Sequence, residues 1–94
     1  MANLDLIIRN ANVATSEGGF VCDIGVLAGQ ICQIGEINKT AEEELDATGF
    51  LITPGGVDSH CHVEQISSNG IWTADDWFSA SRSAVCGGTT TIIP

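Results

Sequence analysis

Pro54-Gly55-Gly56-Val57-Asp58-Ser59-His60-Cys61-His62 is the stretch on which the reading of this chain turns. It sets the only two histidines one residue apart, at the end of a segment that reads as a buried β-strand. Side chains alternate faces along a strand, so His60 and His62 are expected on one side and Cys61 on the other. Strand rise separates the two Cα atoms by roughly 7 Å, close enough for both imidazoles to converge on one metal ion without distorting the backbone. Asp58 falls on the same face one step earlier. It either orients an imidazole from behind or accepts a backbone N–H. Cys61, facing away, reads as a core filler.

Downstream, the strand is expected to run from Val57 to Val63, and Asn69-Gly70 signals a loop. Thr73 reads as a helix N-cap, with Asp75 and Asp76 in the first turn and Thr73-x-x-Asp76 close to a capping box. Trp77, Ala80, Ser81, Ala84 and Val85 follow the stripe of a helix packed on a sheet. Gly87-Gly88 stops it. The β-branched run Thr89-Thr90-Thr91-Ile92-Ile93 is then a second strand. Strand, helix and strand in about forty residues make a βαβ unit with parallel strands. The histidines lie at the C-terminal end of its first strand, where parallel α/β barrels carry catalytic residues. Glu64 is in phase with the histidines if the strand continues, although a solvated loop carboxylate is its more ordinary reading. Trp72, in the loop after the histidines, is a candidate pocket residue, although packing is the more ordinary role for Trp72 and Trp77 alike.

Upstream, Leu4, Leu6 and Ile8 alternate with Asp5, Ile7 and Arg9. The pattern breaks at Asn10-Ala11-Asn12 and resumes at Val13-Ala14-Thr15. A turn is expected over Ser16-Glu17-Gly18-Gly19, then a hairpin of Phe20–Val26 with Ile31–Ile34 about Ala28-Gly29. Such a turn sets Cys22 opposite Gly35, away from Cys32. Asn38 to Glu44 reads as a polar loop, followed by two short extended pieces around Gly49. Residues 1–53 are therefore expected to be a string of short antiparallel strands forming a small sheet or half-sandwich.

Ninety-four residues fall far short of the roughly 250 of a (β/α)8 barrel. A second βαβ strand with nothing after it leaves an open edge, so the chain reads as a truncated N-terminal portion of something larger. The formal charge of −9 disfavours nucleic acid and anionic membrane as partners. No apolar run reaches the ~20 residues of a membrane span, and no signal-peptide pattern opens the chain, so the expected location is cytoplasmic. The four cysteines lack zinc-finger spacing and read as reduced thiols.

The run from Pro54 to His62 resembles the amidohydrolase superfamily, and within it the dihydropyrimidinases and hydantoinases. Leu4-Asp5-Leu6-Ile7-Ile8-Arg9-Asn10-Ala11 is similar to the opening strand of that family's N-terminal β-domain. Asp46-Ala47-Thr48-Gly49 resembles its linker. Thr73-Ala74-Asp75-Asp76-Trp77 and Gly87-Gly88-Thr89-Thr90-Thr91 resemble its first barrel helix and second barrel strand. The resemblance implies an α/β protein. Residues 1–53 would be part of an N-terminal β-sandwich, and residues 54–94 the first βαβ unit of a truncated TIM-type barrel.

It further implies a site of two metals per full-length subunit, usually Zn2+ with other divalent metals possible, and His60 and His62 as ligands of the more buried one. The reaction implied is the opening of a small cyclic amide or imide, a hydantoin or dihydropyrimidine ring, to an N-carbamoyl amino acid, in an enzyme commonly tetrameric. The family's carboxylated lysine, further histidines and late aspartate have no counterpart here: Lys39 is the sole lysine and lies outside the βαβ unit. No catalytic acid or base is therefore expected in this chain, which alone should be inactive. Dihydroorotases and allantoinases carry an arginine or a Glu-Pro-Gly run soon after the second histidine, whereas Val63-Glu64-Gln65-Ile66-Ser67 follows here. The alternatives are another amidohydrolase with the same opening (dihydroorotase, allantoinase, deaminase or dipeptidase), or a stand-alone β-rich binding or assembly module.

Overall fold

The structure, a computed structural model, describes residues 3–94. The chain is mostly β, with one ten-residue helix among the described residues, and divides between Thr53 and Pro54 into two compact units. No helix among those residues is long and apolar enough to cross a membrane.

The first unit is a five-stranded sheet built around β1 (Leu4–Thr15). β2 (Gly18–Leu27) pairs antiparallel with β1, and β3 (Gln30–Gly35) antiparallel with β2. β4 (Ala41–Asp46) and the short β5 (Leu51–Ile52) both run parallel to β1 on its other side. The all-antiparallel expectation is therefore corrected, and so is the polar loop expected over Asn38–Glu44. Glu42-Glu43-Glu44 belongs to an edge strand, where charged side chains can face water while the backbone pairs with β1. Arg9 holds this edge, its Nε donating to Glu44 Oε1 at 2.7 Å while Nη1 pairs with Asp23 at 3.1 Å.

The interruption expected at Asn10-Ala11-Asn12 is a bulge within one continuous strand. Asn10 takes a φ of 57°, and the register against β2 slips between Ile8 and Ala11. Asp23 stabilises the bulge by accepting the Asn10 N–H at 3.0 Å. That bond, followed by the Ile37 N–H and the Arg9 guanidinium, holds the Asp23 carboxyl below its ordinary pKa. Before the bulge β1 pairs with β4 and after it with β5, so one strand serves two parallel partners.

The Ala28-Gly29 hairpin forms with both residues at positive φ (52° and 75°), the geometry of a type I′ turn. Asp23, not Cys22, pairs with Gly35, because the register shifts between Gly25 and Val26. All four cysteines are free thiols. Two apolar clusters form the core, Leu4 with Ile7 and Ile37, and Ala11 with Ile24 and Ala47. Ile7 is fully buried. Its pairing partner Gly25 leaves room for this packing, since a Cβ there would come within 2.8 Å of Leu4 Cδ1.

In the second unit β6 (Gly56–Asp58) pairs in parallel with β7 (Thr89–Ile92), with α1 (Trp77–Cys86) between them in sequence. This is a βαβ arrangement. The first strand is shorter than expected: it ends at Asp58, and all three of its residues are exposed, so neither its extent to Val63 nor its burial holds. The helix start also moves. Asp76 is the N-cap, accepting the Ser79 N–H at 2.8 Å while Ser79 Oγ accepts the Asp76 N–H, a reciprocal capping box. The Ser79 backbone N–H is the main cause that holds the Asp76 carboxyl below its ordinary pKa. α1 buries none of its residues; Trp77 and Phe78 are exposed, and Val63 is the only buried side chain of this unit.

Candidate metal centre

The chain leaves β6 at Asp58 and stays tied to β7 for a few residues more. Ile93 N–H donates to Asp58 O at 2.9 Å, and Cys61 N–H donates to Ile93 O at 3.4 Å. Ser59 to Val63 thus runs beside the end of the ladder without belonging to it. Cys61 is half-buried between two exposed histidines. The imidazoles of His60 and His62 stand side by side, with ring centroids 5.1 Å apart and planes inclined at 58°. Asp58 Oδ1 accepts the His60 backbone N–H at 3.1 Å, which fixes the start of this segment from below.

Past Val63 the backbone reverses at Glu64, a non-glycine residue with φ of 50°. Glu64 N–H donates to Asp75 O at 3.2 Å. Gln65 N–H donates to Thr73 Oγ1 at 3.0 Å, and Thr73 N–H donates to Gln65 O at 2.9 Å. Thr73 therefore closes the loop and does not cap the helix. A further bridge joins Ile66 to Trp72. The reversal brings Gln65 back to His62, whose Nδ1 lies 2.8 Å from Gln65 Oε1. Sequence patterning did not single out Gln65; its one signal is a carboxamide three residues after a candidate ligand.

His62 borders two concavities. One, of about 560 Å3, is lined by Gln65, Ile66, Ile71 and Trp72 among others. The other, of about 300 Å3, includes Asp58, Cys61, Thr73 and Asp75. Trp72, 62 % exposed, stands on the first and is not packed into a core. In this unit Asp58, Glu64, Asp75 and Asp76 face a single cation, Arg82, a balance that favours cations near the loop.

The donor chemistry fits a zinc-type ion. Imidazole nitrogen is a good zinc ligand, and a tetrahedral ion bound at about 2.0–2.1 Å from each of two imidazoles sets their centres roughly 5 Å apart. The His60–His62 centroid spacing is of that size. The set is also incomplete. Among the described residues no group of three or more His, Cys, Asp or Glu side chains comes together to hold a metal, whereas catalytic zinc takes three protein ligands.

No family model matches the chain. Curated relatives do. A D-hydantoinase of Ralstonia pickettii is 43% identical over 90 residues, covering 96% of this chain and 20% of the relative. An allantoinase of Salmonella choleraesuis (strain SC-B67) is 41% identical over 91 residues, covering 97% of this chain and 19% of the relative. Among solved structures, one of a D-hydantoinase superposes with a TM-score of 0.84 at 43% identity, covering 95% of this chain and 19% of that one. An N-acyl-D-glutamate deacylase of Bordetella bronchiseptica, complexed with zinc and a phosphonate inhibitor, reaches a TM-score of 0.76 at 26% identity over 97% of this chain and 18% of its own. The chain spans about a fifth of the length of the curated relatives it matches. In sequence and in fold it is hydantoinase-like over nearly its whole length.

Proposed function

We propose that this chain is the part of a metal-dependent cyclic-amide hydrolase that supplies two histidine ligands, His60 and His62. The observation that carries the reading is the pairing of those two rings just past a parallel strand, in a chain 43% identical to a D-hydantoinase. The substrate would be a small hydantoin or dihydropyrimidine ring, opened to an N-carbamoyl amino acid. The remaining ligands and the general acid and base would come from outside these 94 residues. On this reading residues 1–53 belong to a β-sandwich, and residues 54–94 begin a (β/α)8 barrel whose other strands would extend the β6–β7 pair. An assembly of several such subunits, commonly four, belongs to the same reading, as does a cytoplasmic setting.

A bound divalent ion, zinc above all and two per subunit in this reading, would supply Lewis acidity and lower the pKa of a coordinated water toward neutrality. This chain's own residues do the rest of the local work. His60 and His62 bind. Asp58 holds the backbone that presents His60. Ile66, Ile71 and Trp72 line an apolar groove beside His62 that suits the flat face of a small ring.

The test is chemical. The native polypeptide containing this sequence is isolated, its length is measured, and it is assayed on hydantoin, dihydrouracil and allantoin with and without a chelator. Ring opening that disappears with the chelator, and in His60→Ala and His62→Ala, is the expected result; Cys61→Ser should leave bound metal nearly unchanged. A native polypeptide of only 94 residues, or full metal occupancy in the double histidine variant, contradicts the proposal. Allantoin belongs in the panel because the allantoinase relative is nearly as similar as the hydantoinase.

A further inference from the structure

We infer that Gln65 is a positioning residue for His62: its side-chain carbonyl takes the Nδ1 proton, which leaves Nε2 as the nitrogen free to ligate a cation. The inference rests on the metal reading given above and goes beyond it, because it fixes which nitrogen of which ring is used and what holds it.

Three observations carry it. Gln65 Oε1 lies 2.8 Å from His62 Nδ1. A carboxamide oxygen only accepts, so the bond requires a proton on Nδ1. A neutral imidazole has one N–H, and its other nitrogen then keeps the lone pair. The loop is also built to deliver Gln65. The backbone turns at Glu64 with a φ of 50°, a conformation that non-glycine residues rarely adopt and that persists where surrounding bonds hold it. Those bonds are present: Glu64 N–H to Asp75 O, Gln65 N–H to Thr73 Oγ1, and Thr73 N–H to Gln65 O. Both sides of the Gln65 backbone are thus fastened to Thr73, and only its side chain remains to be placed. Finally, the two rings differ. Among the described residues the His60 ring has no hydrogen-bond partner, whereas its backbone is held by Asp58. His60 is therefore an internal control within the same site.

An acceptor behind a ligating imidazole fixes the tautomer and ring orientation and raises ligand basicity, and its loss typically costs 10–100-fold in metal affinity. A carboxamide does this without adding charge, so His62 can be held in this tautomer before any cation arrives.

The test reads the tautomer directly. Long-range 1H–15N correlation spectra of the 15N-labelled chain are recorded at about pH 8, above the ordinary histidine pKa of about 6.5, with a Zn2+ titration of the same samples. The expected wild-type result is His62 protonated on Nδ1 and His60 averaging between tautomers. In Gln65→Ala, which keeps the Thr73 backbone bonds, His62 should average as His60 does, and Zn2+ affinity should fall about tenfold or more. Gln65→Glu, which retains the acceptor, should restore both. A wild-type His62 protonated on Nε2 or freely averaging overturns the inference. So does a Gln65→Ala variant with unchanged tautomer or unchanged Zn2+ affinity, which leaves the metal reading standing. A fixed tautomer in a wild-type chain that binds no Zn2+ even weakly removes the metal reading and with it the positioning role.

Discussion

The two units of this chain solve the problem of stability in opposite ways. The first buries Leu4, Ile7, Ala11 and Ile24 of its five-stranded sheet together with Ile37 and Ala47 of the connecting segments, and ties its polar groups to one another through Arg9 and Asp23. The second buries only Val63 and leaves Val57, Trp72, Trp77, Phe78 and Val85 exposed. Its order comes from hydrogen bonds: a two-strand ladder, a capping box, and a loop fastened at Thr73. A two-stranded pair with a helix is a poor core by itself, because too little apolar surface leaves water. The contrast teaches that the candidate ligands His60 and His62 stand where packing is thinnest, and that the apolar residues of their unit stay largely exposed.

The largest expected effect tests the core of the first unit. Ile7→Ala removes a fully buried side chain and should destabilise that unit by about 2–5 kcal/mol. Urea titration followed by backbone NMR signals of residues 4–52 is the measurement; a loss below 1 kcal/mol would place the stability of the sheet elsewhere.

A smaller effect follows from charge. The folded-state pKa of Asp23 lies below its ordinary value of 3.8, first because of the Asn10 N–H, then the Ile37 N–H and Arg9. The unfolded state therefore takes up protons at higher pH than the folded state does. The contribution of Asp23 is complete above about pH 4 and disappears as pH falls through the depressed folded value. Acid unfolding of Asp23→Asn should accordingly show a flatter dependence on pH below 4 than wild type, at lower stability near neutrality. An unchanged acid limb would show that Asp23 does not couple the bulge to its charge.

The smallest effect sharpens the contrast. Phe78 is 73 % exposed, so Phe78→Ser should change the stability of this chain by no more than about 0.5 kcal/mol. In a longer polypeptide whose further helices and strands cover that face, the same substitution should cost several times more. Equal effects in both would mean that nothing covers α1.

Much of this architecture is legible in the residues, and the exceptions have local causes. The hairpin at Ala28-Gly29, the opening strand and the strand–helix–strand order of the second unit follow from turn chemistry and periodicity. β4 does not, because Glu42-Glu43-Glu44 carries no apolar alternation. What makes it a strand is pairing with β1 and the hold of Arg9 on Glu44, both long-range. The bulge at Asn10 looks like a break, since a left-handed asparagine and a strand end share the same sequence signal. Thr73 and Asp76 are both sound N-caps by type. The decision falls to Ser79, which completes the box with Asp76, while the Thr73 hydroxyl is engaged by Gln65. In the candidate site, strand alternation does not account for the placement of His60 and His62, because the regular strand stops at Asp58 and the two rings, 5.1 Å apart, stand on the irregular segment after it. Nor could the approach of Gln65 be read, because it depends on a left-handed turn at Glu64 that no local pattern announces.

The central claim is that the two imidazoles act together on one cation, and a Zn2+ titration of this chain monitored at both histidine rings tests it most directly. Both rings should shift with a single shared dissociation constant, and His60→Ala should abolish the response of His62. Rings that respond with separate constants, or a His62 response that survives the loss of His60, would contradict the account.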